Sequence, residues 1–188
     1  RYTFVSNSDA HSLAKIGREY NRLEMERADY TELVKALRRE DGRLVSGNYG
    51  LNPRLGKYHR TYCTACAAIL DGSESSAARC ARCGSTKIVR GVMDRVLSIA
   101  DREAPHVPAW KPPYIWQVPL EFIPGLGPAL LQRLLDRFGT EMNILHQAAY
   151  DELAGVAGET IAGLIVQARE GKLHIDSGGG GKYGRVER

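Results

Sequence analysis

The chain has 188 residues and a mass of 20.7 kDa, room for one ordinary domain or for two or three small ones. A hydrophobic share of 43% and a charged share of 26% exclude wholesale disorder, and the absence of an apolar run near the ~18 residues of a membrane span, or of a signal-peptide pattern, excludes a membrane protein. The net charge of +4 is uneven: +1 over residues 1–50, +5 over 51–116 and −2 over 117–188, so positive charge gathers in the middle, where it suits a phosphate backbone or simply keeps a small, loop-rich domain soluble.

The first residue is Arg1 rather than Met, and the sequence is read as a processed or excised piece. Tyr2-Thr3-Phe4-Val5-Ser6 alternates and predicts a strand that runs into Asn7-Ser8-Asp9-Ala10-His11-Ser12. On an extended backbone Asp9 and His11 project to one face, a geometry that can hold a cation at a strand end. The alternative is that Asp9 caps a helix starting near Ser12 while His11 is solvated.

Four cysteines follow, as Cys63-Thr-Ala-Cys66 and Cys80-Ala-Arg-Cys83, with thirteen residues between the pairs. Two such knuckles bring four thiolates within reach of one tetrahedral Zn²⁺. Four sulfurs leave no open coordination position, so this zinc is structural and stands in for a core the segment is too short to build. Disulfides would need an oxidising compartment, which nothing directs; a redox Cys-x-x-Cys would be single and sit in a βαβ context. The cytoplasm is the expected compartment. With Lys87-Ile88-Val89-Arg90 as a strand, the segment predicts a rubredoxin-like zinc ribbon that touches nucleic acid or protein, or is only a spacer.

Residues 105–116 predict a stiff connector, rich in proline and aromatic side chains. Trp110, Tyr114 and Trp116 could stack on bases of an opened strand, although packing the connector onto its neighbours is the commoner use.

From Ile123 to Phe138 a tight turn leads into an amphipathic helix whose apolar face is Leu130, Leu131, Leu134, Leu135 and Phe138. Pro128 suits the first turn, Gly139 the stop, and Thr140 the cap of a short helix from Glu141. Gly125-Leu126-Gly127 allows positive φ and close approach, so amides at the helix start, with Ala129, can face a phosphate oxygen while Arg133 adds charge. Such a contact reads backbone and not sequence. The stretch resembles the helix-hairpin-helix modules that bind DNA. A second unit, Glu152–Gly158 followed by Ile161, Leu164, Ile165 and Ala168, has glycines three apart and Glu159 where a phosphate would want no charge, so it is read as a packing partner. A plain helical bundle with glycine turns is the alternative. The closing Gly178–Gly181 run predicts a flexible tail whose Lys182, Tyr183 and Arg185 reach a DNA backbone, or a disordered one.

The wider string Ser8–Asn21 resembles the last metal motif of the PHP (polymerase and histidinol phosphatase) phosphoesterase superfamily. The order of motif, four-cysteine module, proline-rich bridge, hairpin repeats and Gly-Gly-Gly-Gly-Lys-Tyr-Gly tail resembles the endonuclease Q group of PHP-family DNA repair nucleases over essentially the whole chain. The resemblance implies cleavage 5′ of a deaminated base such as uracil or hypoxanthine, or of an abasic site, at a centre holding divalent metals (Mg²⁺, Mn²⁺ or Zn²⁺), with Asp9 and His11 as its closing ligands. A PHP centre also uses an H-x-H motif, which this chain lacks. The expected architecture is therefore multidomain α+β. Residues 1–50 are the C-terminal fragment of a PHP α/β barrel, 51–104 a zinc ribbon, 105–116 a linker, 117–172 an all-α tandem helix-hairpin-helix domain, and 173–188 a basic tail. The expected function is the DNA-binding part of a metal-dependent repair endonuclease, inactive alone and partnered by DNA and by an upstream PHP domain. The rival is a non-catalytic nucleic-acid-binding adaptor, and a weaker third reading is a protein-binding module.

Overall fold

The computed structural model describes residues 3–187. In chain order the first elements are β1 (Tyr20–Glu24), α1 (Tyr30–Arg38), β2 (Leu44–Leu51), β3 (Tyr62–Cys63), β4 (Ala68–Ile69), β5 (Ile88–Val89), α2 (Val92–Ile99) and β6 (Tyr114–Gln117). Helices α3 (Pro128–Phe138), α4 (Glu141–His146), α5 (Tyr150–Ala157) and α6 (Glu159–Arg169) follow, and β7 (Ile175–Asp176) with β8 (Arg185–Val186) close the chain. They form two compact units, one of residues up to Leu51 with His106–Pro119, the other of Asn52–Pro105 with Leu120 onward. Among the described residues no helix is long and apolar enough to cross a membrane.

The first unit is a three-stranded sheet in the order β1-β2-β6, with β2 antiparallel to β1 and parallel to β6. Asp29 caps α1 by accepting the Glu32 amide at 2.8 Å, and Arg39 closes the helix in the left-handed conformation at φ 61°. Buried Glu32 is held by Arg43 Nε at 2.7 Å, the Glu26 amide at 3.0 Å and Lys35 Nζ at 3.2 Å. The hydrogen bond from Arg43, then that from the Glu26 amide, holds its carboxyl down at about 2, well below the ordinary 4.5.

Two sequence expectations fail in this unit. Residues 3–6 of the strand expected over Tyr2–Ser6 have no strand partner (Tyr2 lies outside the described residues). Side chains satisfy this backbone instead. The Asn21 amide pairs with both N–H and C=O of Ser6 at 2.7 Å, and Asn48 Nδ2 donates to Phe4 O at 3.1 Å. The end of the expected connector is strand β6, because the alternating Tyr114–Gln117 finds the open edge of β2 and Pro113 O accepts the Asn48 amide at 2.9 Å. Trp110 stacks on Phe4 with ring centroids 6.4 Å apart and carries the Arg39 guanidinium over its ring at 4.3 Å.

In the second unit a small sheet of order β4-β3-β5 lies beside α2. Helices α3–α6 surround a core of Leu120, Ile123, Leu134, Ile144, Leu153 and Ile165, all buried. Thr140 Oγ1 caps α4 by accepting the Asn143 amide at 3.1 Å. At the far end of α4, Arg169 donates to the carbonyls of Leu145, Ile144 and Ala148 at 2.8–3.1 Å, placing a cation on C=O groups the helix leaves unpaired.

The glycine tail is ordered where the sequence reading expected a flexible or disordered one. β7 and β8 pair antiparallel, and the intervening glycines lie against Arg54–Tyr62. A Cβ on Gly178 would meet Gly56 O at 2.3 Å, and one on Gly184 would meet Arg54 O and Asp176 O at 2.5 Å. The glycines serve close backbone approach and not mobility.

Glu32 loses stability as pH falls from its ordinary value of 4.5 toward its folded value of about 2. Both tryptophans, Trp110 and Trp116, lie in the first unit, so acid unfolding followed by tryptophan fluorescence should show this loss, and Glu32→Gln should flatten the curve across that window. In the second unit Gly184→Ala should cost about 1–3 kcal/mol, read by urea denaturation with circular dichroism.

Candidate metal centre and nucleic-acid interface

The cysteine quartet is built by two tight turns on the small sheet. Cys63 ends β3, and Ala67, at φ 57°, turns the chain from the first knuckle into β4. The second knuckle closes through Gly84 N donating to Cys80 O at 2.8 Å, and Gly84 takes φ 71°. The Thr64 amide donates to Lys87 O at 2.9 Å, tying the first knuckle to the segment after the second. The buried Cys63 and Cys80 pack with Leu70 and Ile88.

The four Sγ atoms all lie within 4.8 Å of one another, with Cys63–Cys83 and Cys66–Cys80 each at 3.7 Å. A tetrahedron of sulfurs at about 2.3 Å from zinc has edges of about 3.8 Å, so the quartet fits the ion and no disulfide is made. The Cys66 and Ala65 amides around Cys63 Sγ bring its thiol down to about 7. Desolvation, then hydrogen bonding to the surrounding thiols, pushes Cys66 up to about 12, a shift that a bound dication would reverse by favouring the thiolate. Cys63, Cys66, Cys80 and Cys83 would hold the ion and fill every position around it, leaving none for water or substrate.

The Gly125–Gly127 turn lies at the surface of the second unit. Gly125 has φ +86° and is exposed, Leu126 inserts its side chain into the core while its amide donates to Ile123 O at 3.1 Å, and Gly127 is exposed with open space where a Cβ would stand. Gly127 precedes α3 without a side-chain cap, so the helix starts at Pro128 and the exposed Ala129 with its amide end uncovered. The second turn likewise lacks a side-chain cap at Gly158, but Glu159 stands in its first turn.

Arg133 is exposed, yet its guanidinium donates to Val156 O and so ties the first helical pair to the second. Lys182 and Arg185 are exposed on the closing hairpin, with Lys182 Nζ 5.9 Å from the centroid of the Tyr62 ring. Asp9 and His11 lie in an exposed segment without regular secondary structure that bends at His11, where His11 Nδ1 is 2.8 Å from Asp9 O. The next turn is a short 3-10 helix, Leu13–Lys15, preceded by Ser12. Among the described residues neither joins a group of three potential ligands.

Sequence reasoning missed another such group, the exposed His174, Asp176 and Glu187 on and beside β7 and β8, with His174 Nε2 3.4 Å from Glu187 Oε2. The alternation His174-x-Asp176 was a signal for two of them; Glu187 required the hairpin register. Sequence reasoning also missed Asp94, which is buried and accepts the Thr61 amide at 2.6 Å and Arg60 Nε at 3.3 Å. No local pattern marks it, because Thr61 is 33 residues away.

With the quartet intact, one zinc per chain is expected by elemental analysis. Cys80→Ser should abolish it and lower the unfolding midpoint of the second unit, by several kcal/mol judged from structural zinc sites. Tryptophan fluorescence of the first unit should stay unchanged.

A PHP-associated family model matches residues 1–41. An uncharacterized Bacillus subtilis protein, YqxK, is 48% identical over 186 residues, which is 99% of this chain and 47% of that protein. An uncharacterized protein of Methanocaldococcus jannaschii is 34% identical over 202 residues, or 97% of this chain and 25% of its own length. The chain thus spans about half of one curated relative and a quarter of the other. Among solved structures, the lesion-specific endonuclease PfuEndoQ of Pyrococcus furiosus superposes with a TM-score of 0.79 at 36% identity, covering 93% of this chain and 46% of that one. An endonuclease Q complexed with a 27-mer duplex carrying an abasic lesion at the active site superposes equally well, over 97% of this chain and 49% of that one. In sequence and in fold, over nearly its whole length, this chain is similar to about half of endonuclease Q, a lesion-specific endonuclease.

Proposed function

We propose that this chain is the DNA-engaging part of a metal-dependent repair endonuclease that cleaves 5′ of deaminated bases or abasic sites. The observation that carries this reading is the exposed Gly125–Gly127 turn with the uncovered start of α3 behind it. Amides at an open helix end attract an anion through hydrogen bonds and the helix dipole together, and Gly127 leaves room for a phosphate to come close. Lys182 and Arg185 add positive charge on the closing hairpin, and the cysteine module stiffens the frame that carries both. The similarity to an endonuclease Q held on duplex DNA supports the same partner.

Asp9 and His11 are proposed as ligands of the catalytic metals, with the remaining ligands supplied by the rest of the nuclease. Divalent ions there would acidify a bound water and neutralise charge on the phosphate oxygens. By itself the chain grips DNA and leaves it uncut.

The test is a binding titration by fluorescence anisotropy on duplex containing an abasic site. The logarithm of affinity should fall linearly with the logarithm of salt concentration, with a slope near −0.9 for each phosphate neutralised. Ala129→Glu separates binding from folding. A carboxylate in the first turn should stabilise α3 by about 0.3–1 kcal/mol, yet weaken DNA binding about tenfold by repelling the phosphate. Unchanged affinity in this variant would remove the hairpin from the interface, and binding insensitive to salt would favour a protein partner. A full-length nuclease that cleaves uracil-containing DNA equally well with Asp9→Ala would support the non-catalytic adaptor role for this part.

A further inference from the structure

Helix α2 turns its apolar side outward and is anchored by a single buried polar residue. Asp94 is its buried residue, while Val92, Met93, Val96, Leu97 and Ile99 are exposed, with Val92 and Leu97 each at 62% and Ile99 at 61%. At 100° per residue these five occupy one continuous face, and Asp94 and Ser98 lie opposite. Soluble helices ordinarily bury the apolar stripe.

The inversion is locked in place. The Asp94 carboxylate accepts the Thr61 amide at 2.6 Å and pairs with Arg60, and Thr61 Oγ1 accepts the Gly91 amide at 2.9 Å. The Val92 and Met93 amides donate to Tyr58 O at 2.8 Å and His59 O at 3.0 Å. A Cβ on Gly91 would stand 2.2 Å from Arg60 C, so the helix start lies flat on the backbone before β3 and cannot roll to hide its aliphatic side. A contiguous exposed apolar face of this kind marks a surface that another polypeptide covers.

We propose that this face of α2 seats the portion of the nuclease lying outside the present chain, so that the cysteine module docks the catalytic half. The inference rests on the proposed function only in taking the chain as part of a longer nuclease. The curated and solved relatives support that occupant, since the chain accounts for 47% of one and for 46% and 49% of the others. A second copy is a poorer fit, because five side chains of an eight-residue helix fall short of the about 800 Å² per partner that a standard interface buries. Nucleic acid is poorer still, since the face is aliphatic.

Met93 lies within this face and reports on its cover. Peroxide oxidation of Met93, followed by peptide mass spectrometry, is compared between the 188-residue chain and the full-length polypeptide, with the half-buried Met142 as the internal reference. Oxidation tracks exposure, so Met93 should react about tenfold more slowly in the full-length protein while Met142 is unchanged. Leu97→Asp should restore fast oxidation there and leave zinc content and unfolding of the 188-residue chain as they were. Equal Met93 rates in the two proteins would overturn the proposal, as would protection that grows with concentration of the 188-residue chain, the mark of a second copy. Lesion cleavage is measured on the same full-length sample: activity with an unprotected Met93 defeats this inference alone, and a protected Met93 without activity defeats the function alone.

Discussion

The second unit is organised around one run of backbone, Arg54–Cys63, which passes from a 3-10 turn into β3 and whose peptide groups are claimed from several directions. The carbonyls of Arg54, Leu55 and Lys57 accept the amides of Gly178, Gly184 and Gly181, and the Arg60 amide returns a bond to Gly178 O. The carbonyls of Tyr58 and His59 receive the start of α2, and Thr61 O accepts the Leu70 amide at 2.9 Å. Cys63 then begins the metal quartet. Buried backbone polar groups must find partners. Here one segment satisfies them by binding the closing hairpin, the outward helix and the first knuckle at once. An ion that fixes Cys63 therefore fixes more than its own loop.

The division of labour follows from this arrangement. Four cysteines around one ion would leave no open coordination position, so the cysteine module would hold shape. The helical region presents its glycine turn at the surface while Leu126 anchors that turn to the core. Arg133 illustrates how a cation that looks free in sequence is used internally: its bond to Val156 O couples the two helical pairs, leaving backbone amides as the exposed donors of the first turn. Under the proposed function, this offers a physical reason for the helical region to carry little net positive charge, since helix-end dipoles need no side-chain cations.

What could be read from the sequence was what is local in it. The cysteine spacing contains its own geometry, and Gly125-Leu126-Gly127, Pro128, Gly139 and Thr140 each act within a few residues of themselves. The failures share a different cause, the distant partner. Tyr114–Gln117 becomes a strand because β2, some 65 residues earlier, leaves an edge open, and the prolines before it argued for a connector. Phe4 and Ser6 avoid strand pairing because the side chains of Asn48 and Asn21 satisfy their backbones. Asp94 and the outward face of α2 have meaning only beside Thr61. For Asp9-x-His11 the spacing was visible, but among the described residues it joins no group of three potential ligands.

The tail glycines bear on where this protein can be shortened. A boundary drawn after α6, which the composition invites, would strip the partners from three carbonyls of the Arg54–Lys57 segment and uncover the buried Leu55. The C-terminal strand is thus a structural keystone, and variants that trim it would be expected to misfold before any question of DNA arises.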